Sequence, residues 1–162
     1  MSGRLLVAGV GNLLRGDDGF GVEVVQRLEA RGALPPNVRV VETGIGGVGL
    51  VQELMDGYDG LIVVDALRRD GPPGTLYLLE PDVPDLQAWT TEERHSFLAD
   101  LHRAEPSRAL ILARALNVLP PRVVVLGCEP AETEEAVIGL TAPVKRAAEA
   151  AVERVLKLVG GT

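Results

Sequence analysis

The sequence predicts an α/β fold, a three-layer sandwich with a mostly parallel, twisted sheet of about five strands and helices on both faces. Three observations carry this expectation. Short branched-aliphatic runs, apolar on both faces, alternate along the chain with longer amphipathic stretches, the pattern of parallel strands buried beneath helices. Several of those runs end at a glycine or an acidic residue. Hydrophobic residues make up 46% of the chain and aromatics only 3%, so the core is built from Val, Leu, Ile and Ala.

Leu5 to Val10 (LLVAGV) is apolar throughout and reads as a buried strand. Gly19 to Arg31 reads as a helix, with Phe20, Val24 and Leu28 on one face and Glu23, Arg27 and Arg31 on the other. Pro35-Pro36 stops that unit, and Val38 to Glu42 forms the second strand. The glycine cluster Gly44-Ile45-Gly46-Gly47 leads into a short helix, Val48 to Met55. Leu61 to Val64 is a third buried strand, followed by Asp65. Beyond Pro72-Pro73-Gly74, Thr75 to Leu79 reads as a fourth strand at an edge. Glu80 to Pro106 is the least regular stretch and long enough to suggest a functional loop. Ser107 to Leu116 is a helix, Arg122 to Gly127 a fifth strand, and Pro143 to Val159 a closing helix. The order β-α-β-α-β-β-α-β-α, without repeat, linker or low-complexity tract, describes one domain over residues 1–162.

Composition narrows the function classes. The 162 residues fit one domain, and a net charge of -7 argues against nucleic acid, which requires a basic face, and against anionic membranes. No apolar run approaches the roughly 20 residues that span a bilayer. The start, MSGRLLVAGVGN, lacks the pattern of a signal peptide. A single cysteine, Cys128, calls for no oxidising compartment. The expectation is a soluble, cytoplasmic domain.

Acidic residues gather where an open α/β sheet binds ligands, beyond the carboxyl ends of its strands. Asp17 and Asp18 follow the first strand, Glu42 ends the second, Asp65 the third, and Glu129 follows the fifth. The stretch Gly9-Val10-Gly11-Asn12-Leu13-Leu14-Arg15-Gly16-Asp17-Asp18-Gly19-Phe20-Gly21 opens like a dinucleotide fingerprint, but Leu14 occupies the third glycine position and two aspartates stand where a pyrophosphate would bind. For Asp17 and Asp18 the plain alternative is capping of the helix that follows. Asp65 sits at the rim of the core, where a carboxylate requires donors or a cation. His95 and His102 lie seven apart, on one face if that stretch is helical, and His95 alone reads as a solvated surface histidine. Two carboxylates with an imidazole suit a divalent ion such as nickel, zinc or iron. Cys128 reads as a small core hydrophobe, and no GxSxG elbow is present.

The opening GVGNLLRGDDGFGV resembles the N-terminal signature of the nickel-iron hydrogenase maturation endopeptidases. Further pieces follow in that family's order: Glu42-Thr43-Gly44-Ile45-Gly46-Gly47, Val63-Val64-Asp65-Ala66, Pro73-Gly74-Thr75, Ala109 to Leu116, Val125-Leu126-Gly127-Cys128-Glu129-Pro130 and Ile138-Gly139-Leu140-Thr141. The resemblance covers essentially the whole chain. It implies an endopeptidase that removes the C-terminal extension of a hydrogenase large-subunit precursor once nickel has been inserted. It further implies Asp18, Asp65 and His102 as metal-contacting residues, and Asp18 and Asp65 are the candidate catalytic carboxylates. His102 lies in a His-x-x-x-Pro form that resembles the variant in proteases of soluble hydrogenases. Nickel is then read in the precursor, and the site would accept another divalent ion such as zinc or cadmium in vitro. Gly44, Gly46 and Gly47 would let an extended substrate backbone approach closely, or simply form a strand-to-helix turn. Both a metal-assisted and a metal-free two-carboxylate mechanism are open at this point. A peptidase of this size would work as a monomer. Other classes considered are a catalytically silent metal-binding assembly factor, a phosphoacceptor domain and a nucleotide-binding module. The phosphoacceptor reading lacks a lysine at the end of the fifth strand.

Overall fold

The structure is a computed structural model that describes the chain apart from residues 33, 45–46, 100–105, 132–137 and 161–162. Five strands form one sheet: β1 (Leu5–Val10), β2 (Val38–Gly44), β3 (Gly60–Ala66), β4 (Leu76–Leu79) and β5 (Arg122–Cys128). Their order is β2-β1-β3-β5-β4. All neighbours run parallel except β4, which pairs antiparallel with β5 at the edge. The helices are α1 (Phe20–Arg31), α2 (Val48–Leu54), α3 (Thr91–Ala99), α4 (Pro106–Ala115) and α5 (Ala142–Gly160).

Side-chain alternation along the central strands builds two cores. Leu5 and Val7 of β1, with Ile62 and Val64 of β3, face Phe20, Val24 and Leu28 of α1 and Val144, Ala148 and Val155 of α5. Leu6, Ala8, Leu61 and Val63 face the other way, toward Leu50 and Leu54 of α2 and Leu110 and Ala113 of α4. Each fully buried Leu or Phe contributes about 1.5–3 kcal/mol, so these two layers dominate the stability. The predicted sandwich is therefore present.

Glycines decide how closely α1 lies on the sheet. A Cβ on Gly21 would collide with the Val64 carbonyl oxygen, and one on Gly9 would collide with the Gly21 carbonyl. Of the glycines that open like a nucleotide fingerprint, Gly9 thus serves helix–strand packing.

Several boundaries differ from expectation. The residues between Gly11 and the first helix are not an open loop but a kinked 3-10 segment, Leu13–Gly19. Strand β3 runs on through Ala66, so Asp65 lies inside the ladder, opposite Gly127 of β5. The stretch from Glu80, expected to be irregular, carries a 3-10 turn at Leu86–Ala88 and helix α3. Its apolar residues do not recur at helical spacing, which hid the helix. A local signal was available in Thr90-x-x-Glu93, a capping box in which the Glu93 N–H donates to Thr90 Oγ1 and the Thr90 N–H to Glu93 Oε2, both at 3.2 Å. The Trp89 and Phe97 rings then pack in a T-shaped pair, centroids 5.7 Å apart.

Candidate active site

The site is built at the carboxyl end of β1 and β3. After β1 the chain turns at Gly11, with φ +138. The Asn12 side chain accepts the Leu14 N–H at 3.0 Å and starts the 3-10 segment. The segment curls back until the Asn12 N–H reaches both the Asp18 carbonyl oxygen at 3.2 Å and its Oδ2 at 3.1 Å. A Cβ on Gly11 would collide with the Asp18 carbonyl and stand 3.7 Å from Asp65 Oδ1. Only glycine permits this approach, which sets the Asp18 backbone beside Asp65, close enough for the Asp18 charge to act on it.

Their environments differ. Asp18 is exposed. Asp65 is largely enclosed, and its Oδ1 accepts the Ala66 N–H at 2.8 Å. Burial pushes the Asp65 carboxyl up to about 8; the Ala66 hydrogen bond opposes this and the Asp18 charge adds to it. At neutral pH Asp65 therefore keeps its proton, a donor for proton transfer, with the exposed Asp18 side chain nearby. Once Asp65 gives up its proton, the same pair presents oxygen ligands to a divalent cation.

The other acids do not join them. Neither Asp17 nor Asp18 caps α1, whose N-cap is Gly19 with no side-chain hydrogen bond. Asp17 is 3% exposed and turned away from Asp18. Its Oδ2 accepts the Ala131 N–H at 2.9 Å and the Thr141 hydroxyl at 2.8 Å, and its Oδ1 accepts the Thr141 N–H at 2.8 Å. Glu129, also 3% exposed, accepts the Arg69 N–H, the Gly71 N–H and the Tyr77 hydroxyl on one oxygen. Burial alone would raise its carboxyl, but those donors lower it below the ordinary range. Glu42 is exposed on β2. The expectation that strand-end carboxylates converge holds for Asp18 and Asp65 and fails for Asp17 and Glu129. Nothing local in the sequence marks the anchoring task of either buried acid, because every partner lies at least 52 residues away.

His102 and Gly46 lie outside the described residues. His95 is exposed on α3, as a solvated histidine would be. Among the described residues no three His, Cys, Asp or Glu side chains are grouped as a metal site requires. Gly44, with φ +62, has open space where a Cβ would sit. A Cβ on Gly47 would stand 2.8 Å from Ala109 Cβ, so α4 packing accounts for that glycine. Cys128 is buried, and burial pushes its thiol up to about 12, consistent with a core residue.

No helix among the described residues is long and apolar enough to cross a membrane. The HycI family model, described as hydrogenase maturation protease, matches residues 22–158. A hydrogenase expression/formation protein HupD from Rhizobium leguminosarum bv. viciae is 33% identical over 156 residues, covering 96% of this chain and 74% of the relative. A putative hydrogenase maturation protease from Methanocaldococcus jannaschii is 35% identical, with 94% of each chain covered. The crystal structure of a hydrogenase 2 maturation peptidase from a Thaumarchaeota archaeon superposes with a TM-score of 0.69 at 36% identity, over 97% of this chain and 98% of that one. The hydrogenase maturating endopeptidase HybD from Escherichia coli gives a TM-score of 0.74 at 34% identity, over 96% of this chain and 91% of that one. With a family model matching residues 22–158 and relatives above 30% identity along nearly its whole length, the chain belongs to the hydrogenase maturation protease family.

Proposed function

We propose that this protein is the endopeptidase that trims the C-terminal extension from a nickel-iron hydrogenase large-subunit precursor after nickel insertion, and that Asp18 and Asp65 carry the chemistry. The observation that carries the reading is the meeting of exposed Asp18 and proton-holding Asp65 across Gly11. A peptide bond laid over this point would find a carboxylate able to take a proton from water and a carboxylic acid able to give one to the departing amine. Family membership supports the substrate class.

Nickel enters as part of the substrate. The oxygens of Asp18 and of Asp65 in its deprotonated form, with His102 as the nitrogen donor, suit contact with a metal centre already held by the precursor, or with zinc or cadmium added in its place. Such contact would position the scissile bond, a contribution from orientation. The open space at Gly44 favours close approach of an extended backbone there, whereas packing accounts for Gly47. The reaction is assigned to the cytoplasm, with the protein acting as a monomer.

The experiment is cleavage of purified precursor, with and without inserted nickel, by the wild type and by Asp18→Asn, Asp65→Asn and His102→Ala. Loss of a short C-terminal peptide from the nickel-loaded form alone, absent in the three folded variants, is expected. Full activity in all three variants would overturn the residue assignment. Equal cleavage of nickel-free precursor would remove nickel as the signal.

A further inference from the structure

We infer that Asp17, the buried neighbour of Asp18, is a positioning residue that holds Asp18 over Asp65. The inference rests on the proposed assignment of Asp18 and Asp65 for its catalytic consequence, but its geometry stands without that assignment. The 3-10 segment starts at the end of β1, where the Asn12 N–H holds Asp18. It closes back on that end, with Gly19 against Leu13, while the Asp17 side chain turns the other way to Ala131 and Thr141, the residues beyond β5 and immediately before α5. In the sheet β3 lies between β1 and β5. The closed turn that carries Asp18 is therefore held from both sides of β3, where Asp65 sits, at Asn12 after β1 and through the Asp17 side chain beyond β5.

Burying a carboxylate is costly unless its oxygens are satisfied. Here both are, and the adjacent N-terminus of α5, 19 residues long, favours the negative charge. Gly16, with φ 58 and ψ -123, supplies the reversal that sends Asp17 inward while Asp18 remains at the surface. Without the Asp17 anchor, Asp18 is held only from the Asn12 side. A shift of about 1 Å in a catalytic group costs up to about a hundredfold in rate.

Asp17→Asn places an amide against the donors Ala131 N–H and Thr141 N–H, and Thr141→Ala removes the hydroxyl donor alone. The test has two readouts on folded protein. In amide NMR of the precursor-free proteins, the Asn12 and Ala66 resonances, which report on Asp18 and Asp65, are expected to move in Asp17→Asn, and less in Thr141→Ala. Amides of β4 should stay in place. Toward the nickel-loaded precursor, kcat should fall at least about tenfold in Asp17→Asn with KM little changed, Thr141→Ala should fall less, and the double variant should lose no more than Asp17→Asn alone. Unmoved Asn12 and Ala66 amides in folded Asp17→Asn, or a loss of thermal stability with kcat intact, would overturn the inference. Absence of cleavage by the wild type would instead overturn the proposed function, and the NMR comparison would still decide the role of Asp17.

Discussion

Glu129 Oε1 accepts the Tyr77 hydroxyl at 2.8 Å, tying the end of β5 to the antiparallel edge strand β4. The same oxygen takes the N–H groups of Arg69 and Gly71 at 2.8 and 2.7 Å, so one carboxylate organises the connection between β3 and β4. Because these donors hold its carboxyl below the usual range, the stabilisation is present above the unfolded-state pKa and is lost as pH falls through the folded one. Glu129→Gln is therefore expected to melt below the wild type at pH 7. The gap should close as the pH is lowered below about 4. Thermal melts across that range check it, and a constant gap would contradict it.

Asp18→Asn and Asp65→Asn each remove a group that exchanges protons in the proposed reaction. Losing general acid or base catalysis costs about a hundredfold or more. Each variant is expected to retain the wild-type circular dichroism and to process nickel-loaded precursor at least about a hundredfold more slowly, measured by gel mobility of the trimmed subunit.

Gly21→Ala tests how closely α1 lies on the sheet. An alanine in a helix gains up to about 1 kcal/mol over glycine. Here its Cβ would meet backbone, the Val64 carbonyl and the Val10 oxygen and nitrogen, none of which yields without moving a strand. Overpacking costs about 1–3 kcal/mol and wins. A lower urea midpoint is expected, and a raised one would show that the helix can withdraw at no cost.

Cys128 is buried and its thiol is pushed up to about 12 by burial, with the charges of Asp17 and Glu129 adding to the effect. Thiolate is the reactive form. Iodoacetamide at pH 8 is expected to leave the native protein unlabelled and to modify it only as it unfolds in urea. Fast labelling of native protein would show an opening at the end of β5.

Much of the architecture was legible from local pattern. The continuous apolar runs of β1 and β3 identify the central strands, because a parallel strand buried on both faces has no polar side to alternate with. The amphipathic faces of α1 and α5 follow from the same rule at helical period. Helix α3 was missed because periodicity needs a buried face, whereas six consecutive residues from Thr91 to Ser96 are exposed. Its capping box, a signal independent of burial, was in plain view. The extent of β3 read from the apolar run, Leu61 to Val64, falls short by two residues at its carboxyl end, since Asp65 ends the apolar run without ending the hydrogen-bonded ladder.

The sequence by itself determined the alternation of strands and helices, the family signature and the set of acids at the carboxyl rim. Only the tertiary structure decided which of those acids face the site. Asp17 and Asp18 are adjacent and chemically identical, and nothing local distinguishes them. Asp17 turns inward because Thr141, 124 residues away, supplies an N–H and a hydroxyl at the start of α5. Asp18 stays outside, where Gly11 lets it come close to Asp65. Burial of a carboxylate depends on finding donors for both oxygens, and those donors are assembled only when β5 and α5 have packed beside β3.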